Sequence, residues 1–328
     1  MPADDARHQV AGRDAGLVIT LNWSQMSTRV EPEPAELGTS AAEVSANSPG
    51  RDRHGCSSVR RRAPTSVLVW SLLISALVTA TSVLGLADQG IYGEETRNWA
   101  TQARGQDIGN LLAVIVLTYS GYGYYRGSHR AALVWVGTLL YLIYAFIVYS
   151  VAVHFNVLFL VYVATLGLSS YAVMLNVNGL RAESERFPRP AGRTVAGLTS
   201  IAIGVLFGLL WLSELIPATL SGEAPQSVVD AGLWVNPIHV IDLAVLLPAF
   251  IIAGYLTLRG TARGQFFVGP LLVFSVLMGA SIVAAMALMR VEGFANALPP
   301  LVMVSVIVLA SLFAAWRYLG ASYHQADD

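Results

Sequence analysis

The chain reads as an all-α protein, a polytopic transmembrane helical bundle of about eight spans, and three observations predict it. Long apolar stretches recur through residues 64–319. Charge is scarce, with 12% Asp, Glu, Lys and Arg against roughly 25% in an average soluble domain. Arginines in the connecting segments fall almost entirely on alternate sides of those stretches. With 55% hydrophobic residues and a mean hydropathy of +0.57, the sequence is written for lipid.

A hydrocarbon core about 30 Å thick needs about 20 apolar residues in helical form, whereas barrel strands would alternate over segments of about ten. The first span, 64–87, ends before Asp88 and is longer than a signal-peptide core of about 7–15 residues, so it reads as a retained anchor. The second, 107–125, opens at Asp107 and ends before Arg126-Gly127. Spans 131–154 and 157–180 are joined by a tight turn around His154 and Asn156. Span 194–219 follows an arginine-rich loop, and span 238–258 starts after Asn236-Pro237. The last two, 265–289 and 297–319, are separated by Glu292-Gly293. Long connections at 88–106 and 220–237 occupy corresponding places, which suggests a 4+4 parallel repeat. Residues Glu94 to Arg104 are expected to lie on the outer face as a short interfacial helix.

Orientation rests on arginine, because the chain has no lysine. Arg51, Arg53 and Arg60–Arg62 precede span 1; Arg126 and Arg130 separate spans 2 and 3; Arg181, Arg186, Arg189 and Arg193 separate spans 4 and 5. Arg259 and Arg263 lie between spans 6 and 7, and Arg317 closes span 8. Only Arg97, Arg104 and Arg290 fall on the other side. The positive-inside rule therefore predicts cytoplasmic N- and C-termini. Abundant Ala, Gly, Arg and Val without Lys suggests a high-GC coding sequence and a bacterial plasma (inner) membrane.

Residues 1–63 are rich in Ala, Ser, Pro and acid and are expected to be a disordered cytoplasmic tail, with Met26 offering a second start; 320–328 form a short cytoplasmic tail. Cys56, the sole cysteine, excludes an intramolecular disulfide and thiolate-ligated metal. No phosphate loop, nucleotide fingerprint or nucleic-acid motif occurs, so no nucleic-acid partner is expected and no cofactor is named by the sequence.

An ionisable group at helix-centre depth costs roughly 2.5–3.5 kcal/mol on insertion scales and so marks a site. The candidates cluster toward the outer ends of the helices: Asp107, Asn110, His154, Asn156, Glu214, Asn236, His239 and Asp242. On span 6, Asn236, His239 and Asp242 recur at three-residue spacing and share a helical face. This set could bind a cation, hold a substrate or relay protons; His154, His239 and Asp242 are the metal-ligand candidates, without a multi-ligand motif. Helix capping accounts equally for Asp107 and for His239 after Pro237. Tyr141, Tyr144, Tyr162 and Tyr171 need hydroxyl partners and predict protein-facing surfaces. Trp99, Trp211, Trp234 and Tyr92 suit an outer aromatic belt, and Trp135, Trp316, Tyr124 and Tyr125 an inner one. Gly204 and Gly208 predict close helix packing, and Pro248 a kink near Asp242.

The runs Tyr92-Gly93-Glu94 through Gln106-Asp107, Asn156 through Tyr162, and Asn236 through Asp242 resemble an uncharacterised family of bacterial multi-pass membrane proteins. That resemblance spans about 64–319, implies an eight-helix integral membrane fold, and carries no activity. Three function classes stay open: an outward-facing polar pocket that binds or translocates a small molecule, ion or lipid headgroup; an intramembrane metal-dependent hydrolase or lipid-modifying enzyme; and a structural or accessory subunit.

Overall fold

A computed structural model of the chain describes residues 64–184 and 192–320. The N-terminal tail with its arginines and Cys56, the loop residues Arg186 and Arg189, and the C-terminal residues 321–328 lie outside the described residues. The described residues are helical without a strand: α1 (Ser66–Ala87), a 3-10 turn (Gln89–Tyr92), α2 (Arg97–Tyr125), α3 (His129–Ala152), α4 (Phe159–Ser184), α5 (Arg193–Ser221), α6 (Gln226–Ala231), α7 (Pro237–Leu258), α8 (Ala262–Val291) and α9 (Leu298–Gly320). Seven of these are long and apolar enough to cross a membrane, namely all except α2 and the short α6. This is an integral membrane helical bundle.

Helix α2 has 29 residues but a shorter apolar stretch, diluted by Gly, Ser, Asn and Tyr. It begins at Arg97, ten residues before the expected start, so most of the interfacial segment predicted at Glu94–Arg104 is instead the first two turns of this helix, after Glu94, Glu95 and the capping Thr96. Local chemistry explains the difference. The Thr96 hydroxyl caps the Trp99 amide at 3.2 Å, Gln102 donates to Asn98 across one turn, and no proline interrupts. Hydropathy ended where polar residues begin, but those residues have protein partners: the Glu292 carboxylate accepts from Thr101 and Arg104 at 2.8 and 2.9 Å. Two of the three arginines expected on the outer side are thereby engaged, since Arg97 also pairs with Glu292.

Glycines allow the helices to approach. Along α1 and α2, Gly85 faces Asp107 at one end and Gly121 faces Ser71 at the other, so the pair runs antiparallel over its length. Gly105 and Gly109 lie against Ala285 and Ser281, making α2 antiparallel to α8 as well. Gly197 and Gly204 meet Gly254 and Leu247–Ile251 in the antiparallel pair α5/α7. Helix α3 is the most enclosed, with Trp135, Leu139, Tyr141, Leu142 and Phe146 wholly buried. The aromatic belts need correction on this account. Trp135 donates from its indole to Ser71 at 2.8 Å, Trp99 donates to the Ala152 carbonyl at 2.7 Å, and Tyr92 is buried, so these three are core; Trp234 and Trp316 are exposed. Tyr141, Tyr144 and Tyr162 are buried as expected, whereas Tyr171 is exposed.

Helix α7 is not uniform. Residues Asp242–Leu246 form a π-helical turn immediately before Pro248. Proline lacks an N–H and its ring crowds the carbonyl four residues back, which here is Ala244; widening the turn relieves that crowding. Such turns recur at functional sites because they displace one side chain from the regular register.

Candidate functional site

Six helices, α2, α3, α5, α7, α8 and α9, enclose a cavity of about 160 Å³. It occupies the half of the bundle formed by the N-terminal parts of α2 and α7 and the C-terminal parts of α3 and α8. Most of its wall is aliphatic or aromatic, from Met278 and Ile307 to Phe207 and Phe274. The polar exceptions are few: Asp242, the amides of Gln102 and Gln106, and hydroxyls on Tyr144, Tyr149, Ser275 and Ser281.

Asp242 stands at the first residue of the π turn, 7% exposed, and its two oxygens are held from different helices. Tyr144 on α3 donates to Oδ1 at 3.0 Å, and the indole of Trp211 on α5 donates to Oδ2 at 2.8 Å. The indole ring also lies against His239 at 4.7 Å between centroids. Phe207 flanks Trp211, and Phe274 meets Tyr144 edge-on. Two aromatic residues thus hold the carboxyl group through their O–H and N–H edges, and each is backed by a phenylalanine. Among the described residues no ion pair engages it, because the cationic side chains that pair do so with Glu292 and Glu95.

Gln106 forms a second polar feature. Its Nε2 donates to the Tyr141 hydroxyl at 2.7 Å, its Oε1 accepts from Ser281 at 2.6 Å, and the Tyr141 hydroxyl in turn donates to Asn110 Oδ1 at 3.0 Å. Asn110, at 0% exposure, thus sits behind the wall at the end of a chain of hydrogen bonds that starts on the cavity surface.

The other expected residues divide. Asp107 is 1% exposed but faces α1, accepting from Tyr92 at 2.7 Å and Tyr149 at 2.9 Å. Burial, and then the neighbouring Asp107 carboxyl, hold the Tyr92 phenol well above its ordinary range, so it remains a donor. Tyr144 and Tyr149 stand roughly 140° apart around α3, so one helix tethers both buried acids on opposite sides. His239 is buried beside Trp211, and Glu214, half-buried on the same stretch of α5, acts on it electrostatically. Neither lines the cavity. Asn236 accepts from the Ile238 amide at 3.0 Å and caps α7. His154 is 58% exposed on the α3–α4 turn and bonds Glu95 at 3.1 Å, while Asn156 organises the same turn through Ile91 and Leu158. Among the described residues no three His, Cys, Asp or Glu side chains come together as a metal site, so His154, His239 and Asp242 do not form a ligand set.

Trp211 and Trp99, expected in an outer aromatic belt, instead line the cavity, as do Gln106 and Tyr149, which are not among the residues expected from sequence. A hydrogen-bonding residue at membrane depth was the available signal for both of the latter. No known protein family, curated protein or solved structure matches this chain.

Proposed function

We propose that the chain crosses the membrane eight times with both termini cytoplasmic, and that its outer-half cavity binds or translocates a small amphipathic molecule. The cavity itself carries this reading: an apolar, aromatic wall broken by one carboxyl group and two amides is the usual composition of a small-molecule site. The apolar wall takes the body of the ligand, while Asp242, Gln102 and Gln106 orient its polar end.

Full-length antiparallel packing of α2 between α1 and α8 supports an eighth crossing, because a helix lying along two spans shares their path through the bilayer. With α2 included, the arginine-rich loops all fall on one side, and the cavity then opens toward the outer leaflet. The 4+4 repeat draws support from two antiparallel, glycine-packed pairs, α1/α2 and α5/α7, each with a buried acid on its second helix.

Hexanol is a suitable minimal probe, since an apolar cavity of about 150 Å³ accommodates a benzene-sized molecule. Saturation-transfer NMR on the purified full chain should show saturable hexanol binding that Ile307→Trp, which fills the cavity from α9, abolishes. Equal binding by the filled variant would overturn this reading.

A further inference from the structure

We propose that the polar end of the ligand is an ammonium group, held by the Asp242 carboxylate in a cavity lined by aromatic residues. This rests on the cavity reading above and narrows it to a chemical class.

Three observations converge. Asp242 is a buried acid on the cavity wall, and no Arg or His among the described residues pairs with it. Its two hydrogen-bond donors, Tyr144 and Trp211, are neutral, so they orient the group without cancelling its charge. Each carboxylate oxygen retains a second acceptor direction after those bonds. The cavity wall is rich in aromatic residues: Trp211 and Tyr144 hold the carboxyl, Phe207 and Phe274 pack against those two rings and also line the cavity, and Trp99 is a further lining residue. Aromatic faces attract cations through their quadrupole, most strongly where water is excluded. A carboxylate on a cavity wall lined by these aromatic residues is complementary to an alkylammonium, whose charge meets the oxygen and the aromatic lining while its chain meets the aliphatic wall. An anionic head would meet repulsion, and a neutral head would use only the hydrogen bonds.

The outer half of α5 indicates how such a molecule could arrive. All buried residues of α5 lie within Ala196–Gly204; beyond them, the stretch carrying Phe207 and Trp211 is covered on one side only. The wall there is one helix thick toward the lipid. Ammonium groups reach that position either on a phospholipid headgroup or on a free lipophilic amine, and the chemistry at Asp242 is the same for both.

The test compares hexylammonium, hexanol and hexanoate on the full chain reconstituted in nanodiscs. Hexylammonium should bind about tenfold more tightly than hexanol, and hexanoate more weakly than either. Asp242→Asn should remove that preference while leaving hexanol binding, and Asp107→Asn, whose carboxyl faces α1, should keep it. Nanodiscs of phosphatidylethanolamine that compete with hexylammonium, where phosphatidylglycerol nanodiscs do not, identify a lipid headgroup as the source; equal binding in both identifies a free amine. Equal affinity for the three probes on the unmodified chain overturns the ammonium assignment, even if Asp242→Asn fails to fold. If hexanol still binds and is lost in Ile307→Trp, the cavity reading survives that result.

Discussion

Among single residues, Asp107 and Asp242 differ in role although both are buried acids with tyrosine donors. Asp107 closes a network among the 3-10 turn, α2 and α3, and Gly85 on α1 leaves room for it: a Cβ there would stand 2.6 Å from the Tyr92 hydroxyl and closer still to the carboxyl. Asp107 is therefore a staple. Replacing it by Ala strands the buried Tyr92 phenol and leaves Tyr149 only the Ala103 carbonyl at 3.2 Å, which should cost about 1–3 kcal/mol, read as a lowered thermal midpoint in detergent. Asp107→Asn, which keeps an acceptor, should cost less than half as much. An Ala variant as stable as the parent would remove the staple role.

At the level of helices, the bundle depends on where glycine permits contact. The pair Gly204 and Gly208 looks equivalent in sequence, but only Gly204 packs, with Leu247 O at 2.9 Å and Ile251 Cγ1 at 2.6 Å from a Cβ built there. Gly208 has nothing within 4 Å. Gly204→Leu should thus destabilise by about 1–3 kcal/mol through overpacking, and Gly208→Leu by under about 0.5 kcal/mol. Equal effects would mean that α5 and α7 do not cross at this point. The π turn of α7 belongs to this scale too: Pro248 imposes it, and it sets Asp242 at the position where donors from α3 and α5 both reach it.

For the molecule as a whole, the decisive question is whether α2 spans. In a Cys56→Ser background, Glu94→Cys and Arg126→Cys flank this helix on its two sides. A membrane-impermeant maleimide should label the first from outside intact cells and the second only after permeabilisation. Labelling of both from one side would reduce the crossings to seven and reverse the polarity assigned to every later loop. The same polarity sets which leaflet the cavity lies in, so the labelling result bears directly on the source of the proposed ligand.

Hydropathy and charge are local properties, and what depends on them was legible in the chain: the helical membrane class and the approximate spans, with the perturbation near Pro248 legible from proline's own geometry. The start of α2 was not, because its polar first turns are satisfied by Glu292, almost 200 residues away in sequence. Nor was the division of the expected outer cluster. Sequence spacing put His239 and Asp242 on one face and made His154, Glu214 and Asp107 plausible companions. Which of them meets a cavity depends on contacts such as Tyr144 to Asp242, separated by 98 positions, and Trp211 to Asp242, separated by 31. By itself the sequence determined that these groups must find partners inside a lipid-solvated bundle, since an unpaired polar group there is costly. Only the tertiary structure decided which partners they found, because helices of similar apolar character can pack in many arrangements and the side chains that choose among them lie far apart along the chain.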